Sequence, residues 1–172
     1  RRKQQVMSEQ IHILVIEDEP EVLDALVRDL EDFEELFPVE MVATAEEART
    51  VIDDILDTGG RIGLILCDHI LPGENGVELL VDLQEKPETK STRKVLVTGQ
   101  AGLDDTVKAV NEADLNHFIE KPWTEEHLHK VVVNQLTSYV IENEKSFLPY
   151  MQLLDSTRLS EEMHKRGNIS DY

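Results

Sequence analysis

Short, nearly continuous apolar runs alternate along this chain with longer stretches in which apolar residues recur at every third or fourth position. That is the pattern of buried strands separated by amphipathic helices. Ile11–Ile16 (IHILVI) predicts a first strand that ends in a cluster of acids. Pro20 suits the first turn of a helix, and Val22, Leu23, Leu26, Val27 and Leu30 follow at helical spacing. Val39–Ala43 predicts a weaker second strand; Thr44 or Ala45 then opens a helix carrying Ala48, Val51, Ile52, Ile55 and Leu56, closed by Gly59-Gly60. Ile62–Cys67 is apolar almost throughout, as a central strand covered on both faces should be. Leu71–Gly76 (LPGENG) reads as a loop, Val77–Leu83 as a third helix and Lys86–Lys94 as a polar connector. Lys94–Thr98 predicts a fourth strand, Leu103–Glu112 a fourth helix, His117–Glu120 a short fifth strand, and a last long helix runs from Thr124 to about Glu144. Five β-α units in series, joined by right-handed crossovers, predict an α/β domain with a doubly wound parallel sheet in three layers.

Residues 143–172 lie beyond these units and are read as a helical extension or linker. Ser146–Pro149 breaks the preceding helix, and Tyr150, Met151, Leu153, Leu154, Leu159 and Met163 predict a modest amphipathic helix before a polar end at Gly167–Tyr172. The extension is expected to pack on the domain, to mediate dimerisation, or to lead into an output module. Residues 1–10 are read as an N-terminal tail, a remnant ahead of a natural start at Met7, or a linker from an upstream domain.

Charge narrows the function classes. With 36 acidic against 17 basic side chains the formal net charge is -19, which repels nucleic-acid backbones and anionic headgroups, so neither is expected as a direct partner. No apolar run approaches the roughly 20 residues that span a bilayer. The single cysteine, Cys67, excludes an intrachain disulfide and fits a reducing cytoplasm. It is read as a buried small hydrophobe.

The candidate chemistry lies where the strands end, the rim at which open parallel sheets bind their ligands. Glu17 and Asp18 follow the first strand, Asp68 the third, Thr98 ends the fourth and Lys121 follows the fifth. Three carboxylates drawn together repel one another unless a cation is present; a hard divalent ion with oxygen ligands relieves that, and Mg²⁺ is the usual intracellular choice. Lys121 adds a fixed positive charge and Thr98 a hydroxyl donor, a set suited to surrounding a phosphoryl group on Asp68. Taken singly, each residue has a plainer explanation. Asp18 or Glu19 before Pro20 could cap a helix, Thr98 could reflect β propensity, and Lys121-Pro122 could be a turn. His69 is read as solvent-facing loop, and His127 and His129, two apart on a helix, point different ways and make no metal pair.

These residues carry a family resemblance. Ile13–Val22 (ILVIEDEPEV) resembles the opening of a two-component response-regulator receiver domain, of the chemotaxis-regulator-like superfamily. Asp68–Gly76 (DHILPGENG) resembles its phosphoacceptor loop, with Pro four and Gly eight residues after the aspartate, while Val95–Gln100 and Phe118–Trp123 supply its Thr/Ser and Lys-Pro landmarks. The resemblance covers residues 11–142 and implies a flavodoxin-like fold with strand order 2-1-3-4-5. It implies Asp68 as phosphoacceptor, Asp18 binding Mg²⁺ directly and Glu17 through water, and the backbone carbonyl of Ile70 as a further ligand. Thr98 and Lys121 would bind the phosphoryl oxygens, and Phe118 matches an aromatic position that turns inward when the threonine moves. A sensor histidine kinase or histidine phosphotransfer protein is the implied phosphodonor.

Ile70 and Gln100 occupy variable positions that in this family border the water that hydrolyses the acyl phosphate; Ile70 cannot hydrogen-bond it, so slow self-dephosphorylation is expected. The face made by the fourth helix, fifth strand and fifth helix is the expected switch surface. The wide apolar band of the last helix, from Val131 to Ile141, makes that face or the extension a candidate homodimer contact. Two other function classes compete. A phosphatase on a related sheet needs a second acid two residues after the nucleophile, where Ile70 stands, and a receiver-like interaction scaffold would never be phosphorylated.

Overall fold

The structure, a computed structural model, describes residues 9–99 and 103–170; the start at Met7 and the Gln100 position lie outside it. The elements run β1 (Ile11–Ile16), α1 (Pro20–Asp29), β2 (Val39–Val42), α2 (Ala45–Asp57), β3 (Arg61–Cys67), α3 (Gly76–Gln84), β4 (Arg93–Thr98), α4 (Leu103–Glu112), β5 (His117–Glu120), α5 (Glu125–Asn143) and α6 (Ser156–Ser170). The strands form one parallel sheet in the order β2-β1-β3-β4-β5, as expected. Strand ends differ from the sequence reading by one residue or none, because the apolar runs that define them are the buried ones.

Alternation along the central strands sorts side chains into two cores. Ile11, Ile13 and Val15 of β1 and Leu64 and Leu66 of β3 join Leu26 of α1 and Val132 and Leu136 of α5 on one face. Leu14, Ile16, Ile65 and Cys67 face the other way, onto Ala48 and Ile52 of α2, Leu79 and Leu83 of α3 and Ala109 of α4. Gly63 is where β1 and β3 shift register: a Cβ there would stand 2.5 Å from Ile11 Cγ2. Its bare backbone lets β1 and α5 close over β3. Thr44 caps α2 by accepting from the Glu47 N–H, and Asn75 caps α3 by accepting from the Val77 N–H.

The extension folds back onto the α1/α5 core. Phe147, Leu154 and Leu159 are buried in it, and Tyr150 stacks on Phe37 with ring centroids 5.7 Å apart. The last helix starts later than its sequence suggests. Leu148–Tyr150 forms a 3-10 turn around Pro149, and α6 begins after Asp155, whose carboxylate caps the Arg158 N–H while its own N–H donates to Thr137 Oγ1 of α5. The helix also runs through Gly167, where the sequence suggested a polar end. Arg166 secures it: the guanidinium lies 4.6 Å from the Phe147 ring centroid and donates to the carbonyls of Ile141 (2.6 Å) and Glu144 (2.9 Å). Because Leu159 has no exposed surface, Leu159→Ala is expected to lower unfolding stability by about 2–4 kcal/mol. Denaturant titration checks this, and a merely appended tail would show less than about 0.5 kcal/mol.

Candidate functional site

The sheet delivers its polar groups to a single rim. Ile16 pairs with Cys67, Cys67 with Leu96 and Leu96 with Phe118, so the residues that follow leave the sheet side by side. Backbone hydrogen bonds hold each exit: Glu17 N–H donates to Val42 (3.0 Å), Asp68 N–H to Ile16 (3.0 Å) and Lys121 N–H to Thr98 (3.1 Å).

At this rim Glu17, Asp18 and Asp68 offer carboxylate oxygens within 4.8 Å of one another. Glu17 is wholly buried and Asp68 nearly so, while Asp18 is exposed. Lys121 reaches into the cluster, with Nζ 2.9 Å from Glu17 Oε1, 3.4 Å from Asp68 Oδ2 and 3.6 Å from Glu19 Oε1. The Glu19 N–H donates to Glu17 Oε2 (3.1 Å). Glu19 occupies the N-cap position of α1 without a side-chain capping bond, so the plainer reading of these acids as caps loses its support there.

Charge in the cluster is unbalanced. Burial raises the Glu17 carboxyl above its ordinary range; Lys121 and the Glu19 N–H oppose this, and the Asp68 carboxylate adds to it. For Lys121 burial disfavours the ammonium, but Glu17, Asp68 and Glu19 outweigh it and hold the amine above its usual value. Both groups therefore bind protons more tightly than usual, as an excess of carboxylates over cations requires. Glu17 Oε1 meets Lys121 by charge alone, outside hydrogen-bond directionality. A buried carboxylate oxygen with no directed donor, beside two further carboxylates open to solvent through Asp18, is a donor set that suits a hard divalent cation.

The loop after β3 is built to hold Asp68 in place. Gly76 N–H donates to the His69 carbonyl (2.8 Å), and a Cβ at Gly76 would stand only 2.0 Å from the Asp68 carbonyl oxygen, so only glycine closes the loop this tightly. Gly73 turns the chain with φ +79, Leu71 is buried in the α2/α3/α4 core, and Ile70 bridges Asn75. Arg49 of α2 anchors the loop by a bidentate contact to Glu74 (2.6 and 2.7 Å), which holds the Glu74 carboxyl below its usual range. Ile70 itself is 64% exposed beside the cluster.

Phe118 is 38% exposed on β5, and Val107 and Val110 are exposed on α4. Cys67 is fully buried, and burial pushes its thiol well above the usual range, in line with a packing role. His69 differs from its sequence reading. It is only 4% exposed, its Nδ1 lies 2.6 Å from Thr98 Oγ1, and its Nε2 lies 4.0 Å from Asp105 Oδ2. Its place in a polar loop pointed outward; only the fold of that loop under Gly76 turns the ring in toward β4.

The comparisons agree with this architecture. The family described as response regulator receiver domain matches residues 13–133. The hydrogenase transcriptional regulatory protein HoxA of Cupriavidus necator is 36% identical over 120 residues, covering 69% of this chain and 23% of HoxA. The response regulator Rre1 of Synechocystis is 28% identical over 130 residues, covering 76% of this chain and 53% of Rre1. The chain thus spans about a quarter of the length of the first and about half of the second. Among solved structures, a CheY-like receiver domain protein from Methanospirillum hungatei is 29% identical with a TM-score of 0.68, covering 78% of this chain and 100% of that one. A receiver domain from Pseudomonas fluorescens, 22% identical with a TM-score of 0.69 over 80% of this chain and 95% of its own, has the same fold. The match begins in β1 and ends inside α5, and the chain belongs to the response regulator receiver domain family.

Proposed function

We propose that this protein is a phosphorylation-controlled switch in which Asp68 accepts a phosphoryl group. The observation that carries the reading is the nearly buried Asp68 carboxylate with the Lys121 ammonium 3.4 Å away and Glu17 and Asp18 alongside. A carboxylate oxygen of Asp68 attacks phosphorus, an O–P bond forms, and the P–N bond of a phosphohistidine or the P–O bond of a small acyl phosphate breaks. The leaving group departs with the electron pair and takes up a proton. Lys121 neutralises charge on the phosphoryl oxygens, and Thr98 donates its hydroxyl to one of them. Glu17, Asp18, Asp68 and the Ile70 carbonyl would hold Mg²⁺, which when bound offsets the negative charge of acceptor and phosphoryl group.

The phosphodonor in this reading is a sensor histidine kinase or a histidine phosphotransfer protein in the cytoplasm. Residues 11–142 act as the receiver and 143–172 as its helical extension. Phosphorylation shifts the population between two arrangements of the face formed by α4, β5 and α5, with Thr98 and Phe118 moving together. Exposed Val107, Val110 and Phe118 support that face as the surface for a partner, an output domain or a second copy. HoxA is named as a transcriptional regulator; here a net charge of -19 favours control of a partner over DNA contact by these residues. The fully apolar, exposed Ile70 speaks against a phosphatase, which needs an acid at that position.

Incubation with acetyl phosphate and Mg²⁺ is expected to add one phosphoryl group to the wild type and none to Asp68→Asn, read by intact mass, and chelation of the metal should abolish the gain. A wild type that gains nothing would instead favour the scaffold that works without phosphorylation. Ile70→Asn supplies a hydrogen-bonding group for the attacking water. It is expected to shorten the lifetime of the acyl phosphate by about tenfold, equivalent to about 1.4 kcal/mol of barrier. Loss of phosphate followed by mass over time checks this, and an unchanged lifetime sinks it.

A further inference from the structure

We infer that Arg49 of α2 is a positioning residue that sets the affinity of the carboxylate site for Mg²⁺ from outside it, through the loop that carries Ile70. This rests on the reading of Glu17, Asp18, Asp68 and the Ile70 carbonyl as the cation site. Arg49 Nη1 donates to Glu74 Oε1 (2.6 Å), while Nη2 donates to Glu74 Oε2 (2.7 Å) and to Asp82 Oδ2 of α3 (2.6 Å). The guanidinium therefore joins three parts of the fold: α2, the loop and α3. Its own helix is a firm support, because Ala45, Ala48, Ile52 and Ile55 bury α2 in the core that also holds Cys67 and Leu71. A planar fork sets both the distance and the direction of the carboxylate it grips.

The grip reaches the site through the two arms of the loop. Glu74 adjoins Asn75, which pairs with Ile70 as an isolated antiparallel bridge, and the Gly76 N–H donates to the His69 carbonyl (2.8 Å). The arm held by Arg49 thus backs the arm that presents the Ile70 carbonyl. Between Ile70 and Asn75 only the Leu71 side chain is buried, so Arg49 supplies through Glu74 a fastening that packing does not. A metal ligand binds well only while the contacts behind it hold it in line. Charge by itself predicts the opposite effect. Arg49 is a cation on the loop beside a cation site, and it neutralises Glu74, so its removal would strengthen Mg²⁺ binding by Coulomb attraction. Weaker binding on its removal therefore reports lost position, not lost charge.

The experiment titrates Mg²⁺ into the protein and follows the backbone amide resonances of residues 68–76. Arg49→Met keeps the stem but removes the fork, and is expected to bind Mg²⁺ about three- to tenfold more weakly than wild type. Arg49→Lys keeps the charge without the bidentate grip and should fall between the two. Arg61→Met removes a cation that pairs with Glu144 (2.5 Å) at the start of β3, away from the rim, and should bind within about twofold of wild type. In the metal-free protein the Gly76 amide of Arg49→Met should exchange with solvent about three- to tenfold faster, while the Leu66 amide inside β3 keeps its rate. Equal or tighter Mg²⁺ binding by Arg49→Met overturns the inference, and so does Arg49→Lys with wild-type affinity. An Arg61→Met that loses as much as Arg49→Met overturns it too, as does an unchanged Gly76 exchange rate. A wild type whose loop amides ignore Mg²⁺ overturns the cation reading and this inference with it. A wild type that binds Mg²⁺ yet gains no mass with acetyl phosphate overturns Asp68 as phosphoacceptor and leaves the Arg49 result standing.

Discussion

The contact on which the site depends is the Lys121 ammonium drawn in among Glu17, Asp68 and Glu19. A parallel sheet covered on both faces ends all its strands at one rim, and this sequence places an acid or a polar group at four of those ends. Bringing buried carboxylates together is unfavourable by repulsion and by lost hydration. Lys121 offsets part of that, and both it and Glu17 bind protons more tightly than usual because the compensation is incomplete. The residual negative charge suits a cation, and in the proposed function the carboxylate kept close to a fixed ammonium is where the transferred anionic group would sit.

Around that contact the fold supplies rigidity rather than further chemistry. Asp68 leaves a strand buried on both faces, and the loop after it is closed by a glycine whose backbone lies against the Asp68 carbonyl. Arg49 ties the loop to α2 through Glu74 and to α3 through Asp82 (2.6 Å). Asp68 is therefore held by its strand, by the glycine-closed loop and by the Arg49 tie, while Val107 and Val110 on α4 and Phe118 on β5 are exposed. A stiff site on a domain with an exposed face elsewhere is the division of labour that the proposed switch would require, since a displacement at the site could then appear at the surface instead of dissipating in the core.

The extension shows how one apolar helix can be shared between two neighbours. The apolar band of α5 is wider than one sheet contact needs. Part of it packs on β3, and the segment from Phe147 to Leu159 covers part of the remainder. Arg166 and Arg158 reinforce this by bonding to backbone and side chains of α5 and of the turn that follows it, with Arg158 reaching Asn134 (2.8 Å) and Ser138 (2.9 Å). The extension and the sheet thus share one core.

The sequence by itself determined the order of elements and nearly all the strand limits, because a strand buried on both faces must be a short apolar run and a helix packed on one face must repeat at its own period. It also placed Glu17, Asp18, Asp68, Thr98 and Lys121 on one rim, because the ends of parallel strands lie together whatever the loops do. Only the tertiary structure decided the orientation of His69, which depends on how Gly76 closes the loop and on Thr98, 29 residues away in the chain. It likewise decided where α6 begins, because Asp155 becomes a cap when its N–H meets Thr137. Local pattern reports which face a residue takes on a regular element. It carries no information on contacts between side chains that come together only when separate elements pack.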